Sequence, residues 1–277
     1  MSVNKTVHLY WGRNQPLSYF RYLTVKSFAK YNPDWAIKVW TPIEMPANVA
    51  PWTTGEQMGQ YAGHDYLIDL PYLYRESINM RGIGIPNDIP EVHKSDLLRW
   101  FLLGTYGGVW SDFDILYTSP LSDSIIGGWN GPGLCRYILP ISDIDTKYFQ
   151  AIGFLASAGT AGKDFFWGMF QRGLSKIPQT KYQAFGATML EKEHLPEWEA
   201  SGRSVFYLDK DLVYPYYSHT DVQNYFYPVQ LHHPNSIGLH WYAGHPVNGP
   251  KAATITEANI REKANEYSIC REALRVI

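Results

Sequence analysis

The chain has 277 residues, enough for one large domain with a substantial core. Its formal net charge is −2 and charged residues make up 18% of it, so the composition favours neither a nucleic-acid partner nor an anionic membrane surface, and we expect no nucleic-acid partner. The two cysteines, Cys135 and Cys270, exclude a disulfide framework and do not have the spacing of a zinc motif. Aromatic residues make up 16% of the chain, which suits a tyrosine-rich core or a protein that handles sugars.

The sequence carries no pattern of a membrane or secretion signal. The N-terminus, MSVNKTVHLYWG, lacks the features of a signal peptide. The longest run of small or apolar residues, Ala151 to Gly162, is too short to span a bilayer. We therefore expect a cytoplasmic protein without a transmembrane segment. Because no internal repeat divides the chain, we also expect a single domain over residues 1–277.

The first forty residues predict a strand, a helix and a second strand. Thr6–Trp11 is typical of a strand, Phe20–Tyr31 carries apolar residues at helical spacing, and Ala36–Trp40 is typical of another strand. This order predicts a parallel α/β sheet. Residues 41–90 give mixed signals, with helical fragments predicted at Glu56–Tyr61 and Leu67–Met80.

Residues 91–117, EVHKSDLLRWFLLGTYGGVWSDFDILY, hold the most informative pattern of the chain. Leucine and phenylalanine recur at helical spacing, with Ser95 as a candidate N-cap and a start one turn earlier as the alternative. Asp96 and Arg99 are three residues apart, so they share a helix face and can form an ion pair. The Gly-Gly pair that follows predicts the end of the helix, and the next residues predict a short buried strand.

Two aspartates follow this strand. On an extended segment, Asp112 and Asp114 would point to one side and Phe113 to the other. Two carboxylates on one side repel unless a cation lies between them, and carboxylate oxygens suit Mg²⁺ and Mn²⁺. Further Asp-x-Asp pairs occur at 143–145 and 209–211, so the motif alone is a weak signal. The first pair differs because it ends an apolar strand, where open α/β sheets bind their ligands.

The second half of the chain predicts elements without a clear chemical motif. We expect a tight or mobile turn at Trp129–Gly133, strands at Ala151–Ala158 and Val205–Leu208, a helix at Asp164–Leu174, and an amphipathic helix over Thr254–Ile277 with Thr254 and Glu257 as a capping box. Four histidines lie between residues 231 and 246. Their spacing does not support a zinc site, so most of them should be exposed or satisfied polar groups.

The stretch SDLLRWFLLGTYGGVWSDFDI resembles the core of the DXD-containing sugar-transferase family. That family includes yeast-type initiating mannosyltransferases, α-1,4-galactosyl- and N-acetylglucosaminyltransferases, bacterial capsular transferases and the glucosyltransferase domains of clostridial toxins. The resemblance rests on Ser-Asp-x-x-Arg, then Gly-Gly-x-aromatic, then Asp-x-Asp, and extends to the Trp-Gly after the first strand. It implies a GT-A-type α/β fold with a mixed, mostly parallel sheet flanked by helices, and transfer of a hexose from a nucleotide-sugar with retained anomeric configuration.

The resemblance also implies roles for individual residues. Asp112 and Asp114 would hold Mn²⁺ or Mg²⁺ together with His240 of the His-Trp element, and Arg99 would act beside them in catalysis. The donor, a UDP-sugar or GDP-mannose, would be bound by Trp11, Ser95, Asp96, Arg99, Trp110 and Asp112. Trp11 would stack on the nucleobase, the alternative being that it only fills the edge of the sheet.

Two features leave the substrates open. Many relatives have an asparagine where this chain has Ile152, and that asparagine helps to bind the donor sugar. The donor sugar is therefore open, and so is the acceptor, which could be a glycan, a lipid-linked molecule or a protein.

Two other functions also fit paired aspartates. A metal-dependent phosphotransferase or nucleotidyltransferase would need a phosphate-binding loop, and the sequence has neither a P-loop nor a basic cluster. A non-catalytic sugar-binding protein on the same fold would tolerate loss of the aspartate pair, which is intact here.

Overall fold

The computed structural model describes residues 3–13, 15–44, 61–140, 146–178, 181, 183–218 and 220–277. The strands are Thr6–Tyr10 (β1), Ala36–Pro42 (β2), Arg75–Ile78 (β3), Gly108–Ser111 (β4), Ile115–Tyr117 (β5), Gly131–Pro140 (β6), Thr146–Ala158 (β7), Phe206–Leu208 (β8) and Gly238–His240 (β9). The α-helices are Tyr19–Tyr31 (α1), Glu91–Thr105 (α2), Asp123–Ile126 (α3), Gly159–Ser175 (α4), Ala187–Met189 (α5), Leu195–Ala200 (α6), Asn248–Ala253 (α7), Ile260–Lys263 (α8) and Ser268–Ala273 (α9).

The central sheet has seven strands in the order β3-β2-β1-β4-β7-β6-β8. Strands β3, β2, β1 and β4 are mutually parallel, β7 is antiparallel to both β4 and β6, and β8 is parallel to β6. The predicted parallel pairing of the first two strands is confirmed, with Thr6 opposite Ala36. The predicted fold class, a mixed and mostly parallel sheet flanked by helices, is also confirmed.

Helices cover both faces of this sheet because alternate strand residues point to opposite sides. Val7 and Leu9 of β1 belong to a hydrophobic cluster that includes Phe28 of α1. Tyr10, the residue after Leu9, points to the other face and belongs to a second cluster formed with α2 and α4. In that cluster Trp100 stacks on Phe166. Because β1 and β4 are parallel neighbours, their carboxyl ends lie at the same edge of the sheet.

A small second sheet positions the segment that follows the aspartates. Strand β5 pairs with β9 in antiparallel orientation, and Ile115 lies opposite His240. The residue before Ile115 is Asp114, whose backbone oxygen accepts a hydrogen bond of 2.9 Å from the N–H of Trp241. The pairing therefore places the His-Trp element directly beside the aspartate turn.

Helix α2 begins at Glu91, so Ser95 lies inside the helix and is not its N-cap. Pro90 occupies the N-cap position, and its carbonyl accepts hydrogen bonds from the N–H groups of His93 and Lys94 at 3.0 and 3.1 Å. Proline is well suited to the start of a helix because it has no N–H to leave unpaired. The earlier of the two starts considered from the sequence is therefore correct.

The Gly-Gly pair ends α2 as predicted. Gly107 and Gly108 have φ values of 70° and 89°, in the left-handed region that favours glycine. A Cβ at Gly108 would lie 2.5 Å from the backbone oxygen of Thr6 on the neighbouring strand. Glycine is thus required here both for the turn and for the close approach of β1 to β4.

The helix predicted over Leu67–Met80 is wrong. Two 3-10 turns, Tyr66–Asp69 and Tyr72–Tyr74, precede β3, which pairs with β2 at the edge of the sheet. Pro71 lies between the two turns, where it cannot donate the hydrogen bond that a continuous helix needs. The fragment predicted at Glu56–Tyr61 lies, except for its last residue, outside the described residues.

Two predictions in the second half of the chain are also wrong. Gly131–Gly133 does not form a loop but begins β6, with Gly131 opposite Ala158 of β7. The single C-terminal helix is instead the two short helices α8 and α9. The proposed capping box is absent, because Thr254 is the C-cap of α7. Thr256 and Asn259 instead exchange local hydrogen bonds immediately before α8. The strand predicted at Val205–Leu208 and the helix at Asp164–Leu174 are confirmed by β8 and α4.

Helices of the described segments are short relative to a bilayer. Helix α4 has 17 residues. None of the helices in these segments combines the length and the apolar character that a membrane crossing requires.

Candidate active site at the aspartate pair

A cavity of about 540 Å³ opens at the carboxyl ends of β1 and β4. This is the edge at which open α/β sheets bind ligands. All the site residues predicted from the sequence line the cavity, namely Trp11, Ser95, Asp96, Arg99, Trp110, Asp112, Asp114 and His240. The fold thus brings together residues from the first strand, the central helix, the aspartate turn and the segment after β9.

The two aspartates lie on a turn between β4 and β5, and not on the extended segment that the sequence suggested. Their side chains nevertheless converge, because Asp112, Asp114 and His240 each offer a ligand atom and these atoms all lie within 4.8 Å of one another. Phe113 between them is buried and packs edge-on against Trp11, with ring centroids 5.6 Å apart. The turn is therefore fixed by an aromatic anchor while both carboxylates face the cavity.

Asp114 is held as a buried anion. Its Oδ2 accepts a hydrogen bond of 2.8 Å from the N–H of Ala243, and its Oδ1 lies 3.2 Å from Nε2 of His240. Burial alone would raise the pKa of this carboxyl, but His240, the nearby charge of Arg21 and the Ala243 N–H outweigh it and hold the pKa well below its usual range. The carboxylate is therefore ionised at neutral pH, as a metal ligand must be.

The donor set fits a divalent cation. Two carboxylates and one imidazole are suitable ligands for Mn²⁺, whereas a site for Mg²⁺ more often consists of oxygen atoms alone. Oδ1 of Asp114 is buried and lies 3.2 Å from Nε2 of His240, so two of the candidate ligand atoms face each other. Asp112 is more accessible, with 31% of its side chain exposed, and so faces the open part of the cavity.

Arg99 connects the central helix to the aspartate turn. Its guanidinium donates to the backbone oxygen of Ile152 at 2.5 Å and lies 3.3 Å from Oδ1 of Asp96 and 3.4 Å from Oδ1 of Asp112. The same group lies over the ring of Trp110, 4.9 Å from its centroid. Only 5% of the Arg99 side chain is exposed, so the Asp96–Arg99 contact is a buried ion pair and not the surface pair that helical spacing alone allows.

Trp110 and Ser95 support this arrangement from two sides. The indole N–H of Trp110 donates to Oδ1 of Asp112 at 2.7 Å, which fixes the orientation of that carboxylate. Ser95 is one helical turn before Arg99, and its Oγ lies 3.5 Å from the guanidinium Nη2. Both residues line the cavity, but each also has a contact that organises its neighbours.

Trp11 and Asp96 both line the cavity. Its indole N–H donates to the backbone oxygen of Gln15 at 2.9 Å, and the guanidinium carbon of Arg21 lies 5.2 Å from its ring centroid. Only 3% of the residue is exposed, so a small part of the ring is open to a ligand. Trp11 therefore both borders the cavity and belongs to the hydrophobic core.

Several lining residues were not found from the sequence. Arg21 of α1 places a positive charge between the rings of Trp11 and Trp241, at 5.2 and 5.5 Å from their centroids. Tyr242 adopts a φ of 53°, rare for a residue with a side chain, and its ring packs edge-on against His240. No local motif marks either position, because each depends on contacts between distant segments.

The other histidines of the 231–246 segment do not join the aspartates. His232 is exposed, and Nε2 of His233 lies 3.5 Å from a carboxylate oxygen of Glu272. His245 borders the cavity, and its Nδ1 accepts a hydrogen bond of 3.2 Å from the N–H of Val247. The expectation that most of these histidines are exposed or satisfied polar groups is consistent with these contacts.

Comparison with known proteins bears on the central stretch. Residues 21–129 match the family model described as the glycosyltransferase sugar-binding region containing a DXD motif. No curated protein matches the chain. Among solved structures, the PaToxG glycosyltransferase is similar, with 15% identity, a TM-score of 0.45, and coverage of 72% of this chain and 73% of that one.

Two further solved structures are similar at the same low level. The galactosyltransferase LgtC, solved with donor and acceptor sugar analogues, has 16% identity and a TM-score of 0.43, and the match covers 93% of this chain and 99% of that one. The glycosyltransferase GlyE of Streptococcus pneumoniae has 13% identity and a TM-score of 0.45, over 95% of this chain and 65% of that one. The region that matches the family model contains α2, the glycine break and both aspartates of the turn. Residues 21–129 are therefore similar to the glycosyltransferase sugar-binding region containing a DXD motif.

Proposed function

We propose that the protein is a metal-dependent hexosyltransferase that uses a nucleotide-sugar donor. The observation that carries this proposal is the convergence of Asp112, Asp114 and His240 beside Arg99 in one cavity, within and next to the region that matches the family. A UDP-sugar is the first candidate for the donor and GDP-mannose the second. The acceptor would be a glycan, a lipid-linked molecule or a protein. The single-domain organisation and the cytoplasmic location expected from the sequence stay predictions.

The reaction must stabilise its leaving group. When the anomeric C–O bond breaks, negative charge develops on the nucleoside diphosphate and positive charge on the sugar ring. A divalent cation held by Asp114, Asp112 and His240 would supply Lewis-acid stabilisation for that negative charge. Asp114 suits the role of direct ligand because it is buried and ionised, while the more exposed Asp112 suits contact with the ribose, with the ion through water, or with both.

Arg99 and Asp96 would orient the donor sugar. The Arg99 fork already contacts Asp112 and the Ile152 oxygen, so its planar geometry is fixed before a ligand enters. If the donor diphosphate lies next to Arg99, the fixed guanidinium would stabilise the negative charge of the transition state without having to change its own position. Ile152 borders the same cavity with an apolar side chain, so recognition of the sugar hydroxyls there depends on the backbone and on Asp96. Retention of anomeric configuration is proposed from the family resemblance alone.

A thermal-shift screen tests the proposed function. Ligands that bind only the folded state raise the melting temperature by mass action. We expect one of UDP-glucose, UDP-galactose, UDP-N-acetylglucosamine and GDP-mannose to stabilise the protein in the presence of Mn²⁺, and to lose that effect when EDTA is added. Stabilisation by ATP and Mn²⁺ but by no nucleotide-sugar would favour the phosphotransferase alternative. Stabilisation by free sugars without a nucleotide would favour the non-catalytic one.

Trp11→Ala should weaken UDP binding if the indole stacks on the base. The expected loss is roughly 1–3 kcal/mol, the range measured for base–aromatic stacking in nucleic-acid complexes. Because Trp11 is also buried in the core, the substitution should lower the melting temperature as well, and stability alone cannot separate the two roles. The decisive quantity is the UDP affinity of the folded protein, measured by isothermal titration in the presence of Mn²⁺.

Trp35→Ala is the matched control. Trp35 is as deeply buried as Trp11 and packs edge-on against Phe28, but it precedes β2 and so lies at the amino end of the sheet, away from the cavity. It should lose stability and keep its UDP affinity. If Trp11→Ala behaves in the same way, Trp11 only fills the sheet edge and the stacking role is wrong.

A further inference from the structure

The buried hydroxyl of Tyr214 points to an additional ligand contact in the site. Tyr214 follows the 3-10 turn Lys210–Leu212, and 2% of the residue is exposed. Its hydroxyl oxygen is buried and has no hydrogen-bond partner among the residues that the structure describes. Buried hydroxyls are nearly always paired, so an unpaired one marks a place where a partner is missing.

The Tyr214 hydroxyl faces the same point as two of the proposed metal ligands. A Cβ built on Gly153 of β7 would lie 2.9 Å from Oδ2 of Asp112, 3.0 Å from Nε2 of His240 and 3.0 Å from the hydroxyl of Tyr214. The three polar atoms belong to three separate segments and converge on this glycine. The rings of Tyr214 and His240 are also in contact, with centroids 5.0 Å apart.

Gly153 is itself fixed against the aspartate turn. Its backbone oxygen accepts a hydrogen bond of 2.8 Å from the N–H of Asp112, which continues the β4–β7 pairing by one residue. A larger residue at this position would push against the Asp112 carboxylate, since real Cβ contacts are almost never as short as 2.9 Å, and it would be tight against His240 and Tyr214 at 3.0 Å. The absence of a side chain therefore keeps the three polar atoms close together.

We propose that the Tyr214 hydroxyl donates a hydrogen bond to an oxygen atom bound at the Asp112–Asp114–His240 cluster, and that Gly153 is required to keep this position open. The inference rests on the proposed function, since it needs a cation at the cluster. The bound oxygen belongs either to a water molecule on the cation or to the diphosphate of the donor, and both are good acceptors for a phenol. A phenol hydroxyl can donate a hydrogen bond to either acceptor.

Tyr214→Phe tests the inference, with Tyr225→Phe as a matched control. Tyr225 is also fully buried and its hydroxyl also lacks a partner among the described residues. It packs with Tyr216 in the hydrophobic cluster around α7 to α9, and its hydroxyl is not among the three atoms nearest to a Cβ at Gly153. Each substitution removes one unpaired hydroxyl and keeps the ring. Both variants should therefore melt no lower than wild type in the absence of ligand.

The measurements are Mn²⁺ affinity by electron paramagnetic resonance titration of the free ion, and UDP affinity by isothermal titration with saturating Mn²⁺. We expect Tyr214→Phe to weaken binding about tenfold and Tyr225→Phe to leave it unchanged. If Tyr214→Phe binds Mn²⁺ more weakly in the absence of UDP, the oxygen belongs to a metal-bound water molecule. If its Mn²⁺ affinity is unchanged and only its UDP affinity falls, the oxygen belongs to the diphosphate. Wild-type affinities in Tyr214→Phe would overturn the inference and leave the proposed function intact. A wild-type protein that binds neither Mn²⁺ nor UDP would overturn both.

Gly153→Ala provides an independent variant. The added methyl group should displace Asp112 or His240, so Mn²⁺ affinity should fall about tenfold or more. Gly128→Ala is its control, because a Cβ there would meet nothing within 4 Å. Unchanged Mn²⁺ affinity in a folded Gly153→Ala protein would show that the close approach at this glycine has no role in binding.

Discussion

Asp114→Asn is expected to lower turnover by at least about a hundredfold and to remove most Mn²⁺-dependent binding of the donor. The amide carries no charge to attract the ion, and a loss of about 2.7 kcal/mol of transition-state stabilisation already corresponds to a hundredfold. The fold should survive, because the Asn side-chain oxygen can still accept the hydrogen bond that Oδ2 receives from Ala243. Turnover, isothermal titration of UDP with Mn²⁺ and melting temperature together give the result.

Asp211→Asn is the control for this substitution. It belongs to another Asp-x-Asp pair of the chain, 209–211, but its side chain is 44% exposed and contacts Lys210 at the surface. Exposed pairs of this kind contribute little, about 0–1 kcal/mol. Equal losses of Mn²⁺-dependent binding in Asp114→Asn and Asp211→Asn would remove the basis for assigning the metal to the first pair. The third pair, at 143–145, lies outside the described residues and is not used as a control.

Arg99→Lys should lower turnover about tenfold or more. Lysine keeps the charge but cannot reproduce the planar fork that contacts the Ile152 oxygen, Asp96 and Asp112 at the same time. About 1.4 kcal/mol of lost transition-state stabilisation is a tenfold change in rate. Because Arg99 is buried, the substitution should also lower the melting temperature, which would not be expected for a surface ion pair.

Comparison with Asp96→Asn and the double variant separates the effects on turnover from those on stability. If both residues act on one bound donor, the effects should not be additive. The activation free energy should rise less in the double variant than the sum of the rises in the two single variants. UDP affinity with Mn²⁺ should weaken in each single variant. Turnover and UDP affinity at wild-type levels in Arg99→Lys, together with a lower melting temperature, would mean that Arg99 only holds α2 against β7.

The sequence predicts those parts of the site whose residues are close together in the chain. Helical spacing, the glycine break and the aspartate pair all lie within residues 91–117, and each feature has a local physical cause. The sequence allows two starts for α2, at Ser95 or one turn earlier, and the structure has the earlier one, with the first turn buried. Burial of the Asp96–Arg99 pair was not predictable, since spacing shows only that the side chains can meet.

Residues supplied by distant segments could not be derived in the same way. His240 reaches Asp114 because β9 pairs with β5, and such pairing leaves no local signal; only the family resemblance singled it out. Val213-Tyr214-Pro215 resembles a segment of the family, but that resemblance does not reveal where the Tyr214 hydroxyl lies. Gly153 has no motif and cannot be distinguished in sequence from any other strand glycine. The prediction of one C-terminal helix is wrong for a related reason. Thr254 and Glu257 have the spacing of a capping box, but in the structure Thr256 and Asn259 form the local hydrogen bonds instead.

Release of nucleoside diphosphate from nucleotide-sugars is the most direct test of a metal-dependent glycosyltransferase, because water can replace the acceptor in a slow side reaction. The wild-type protein and Asp114→Asn should be compared on UDP-glucose, UDP-galactose, UDP-N-acetylglucosamine and GDP-mannose, each with Mn²⁺ and with EDTA. We expect the wild type to release UDP or GDP from at least one donor with Mn²⁺, to stop when EDTA is added, and Asp114→Asn to release almost none. Equal release by both proteins, or release that continues in EDTA, would contradict a role for the aspartate cluster in sugar transfer.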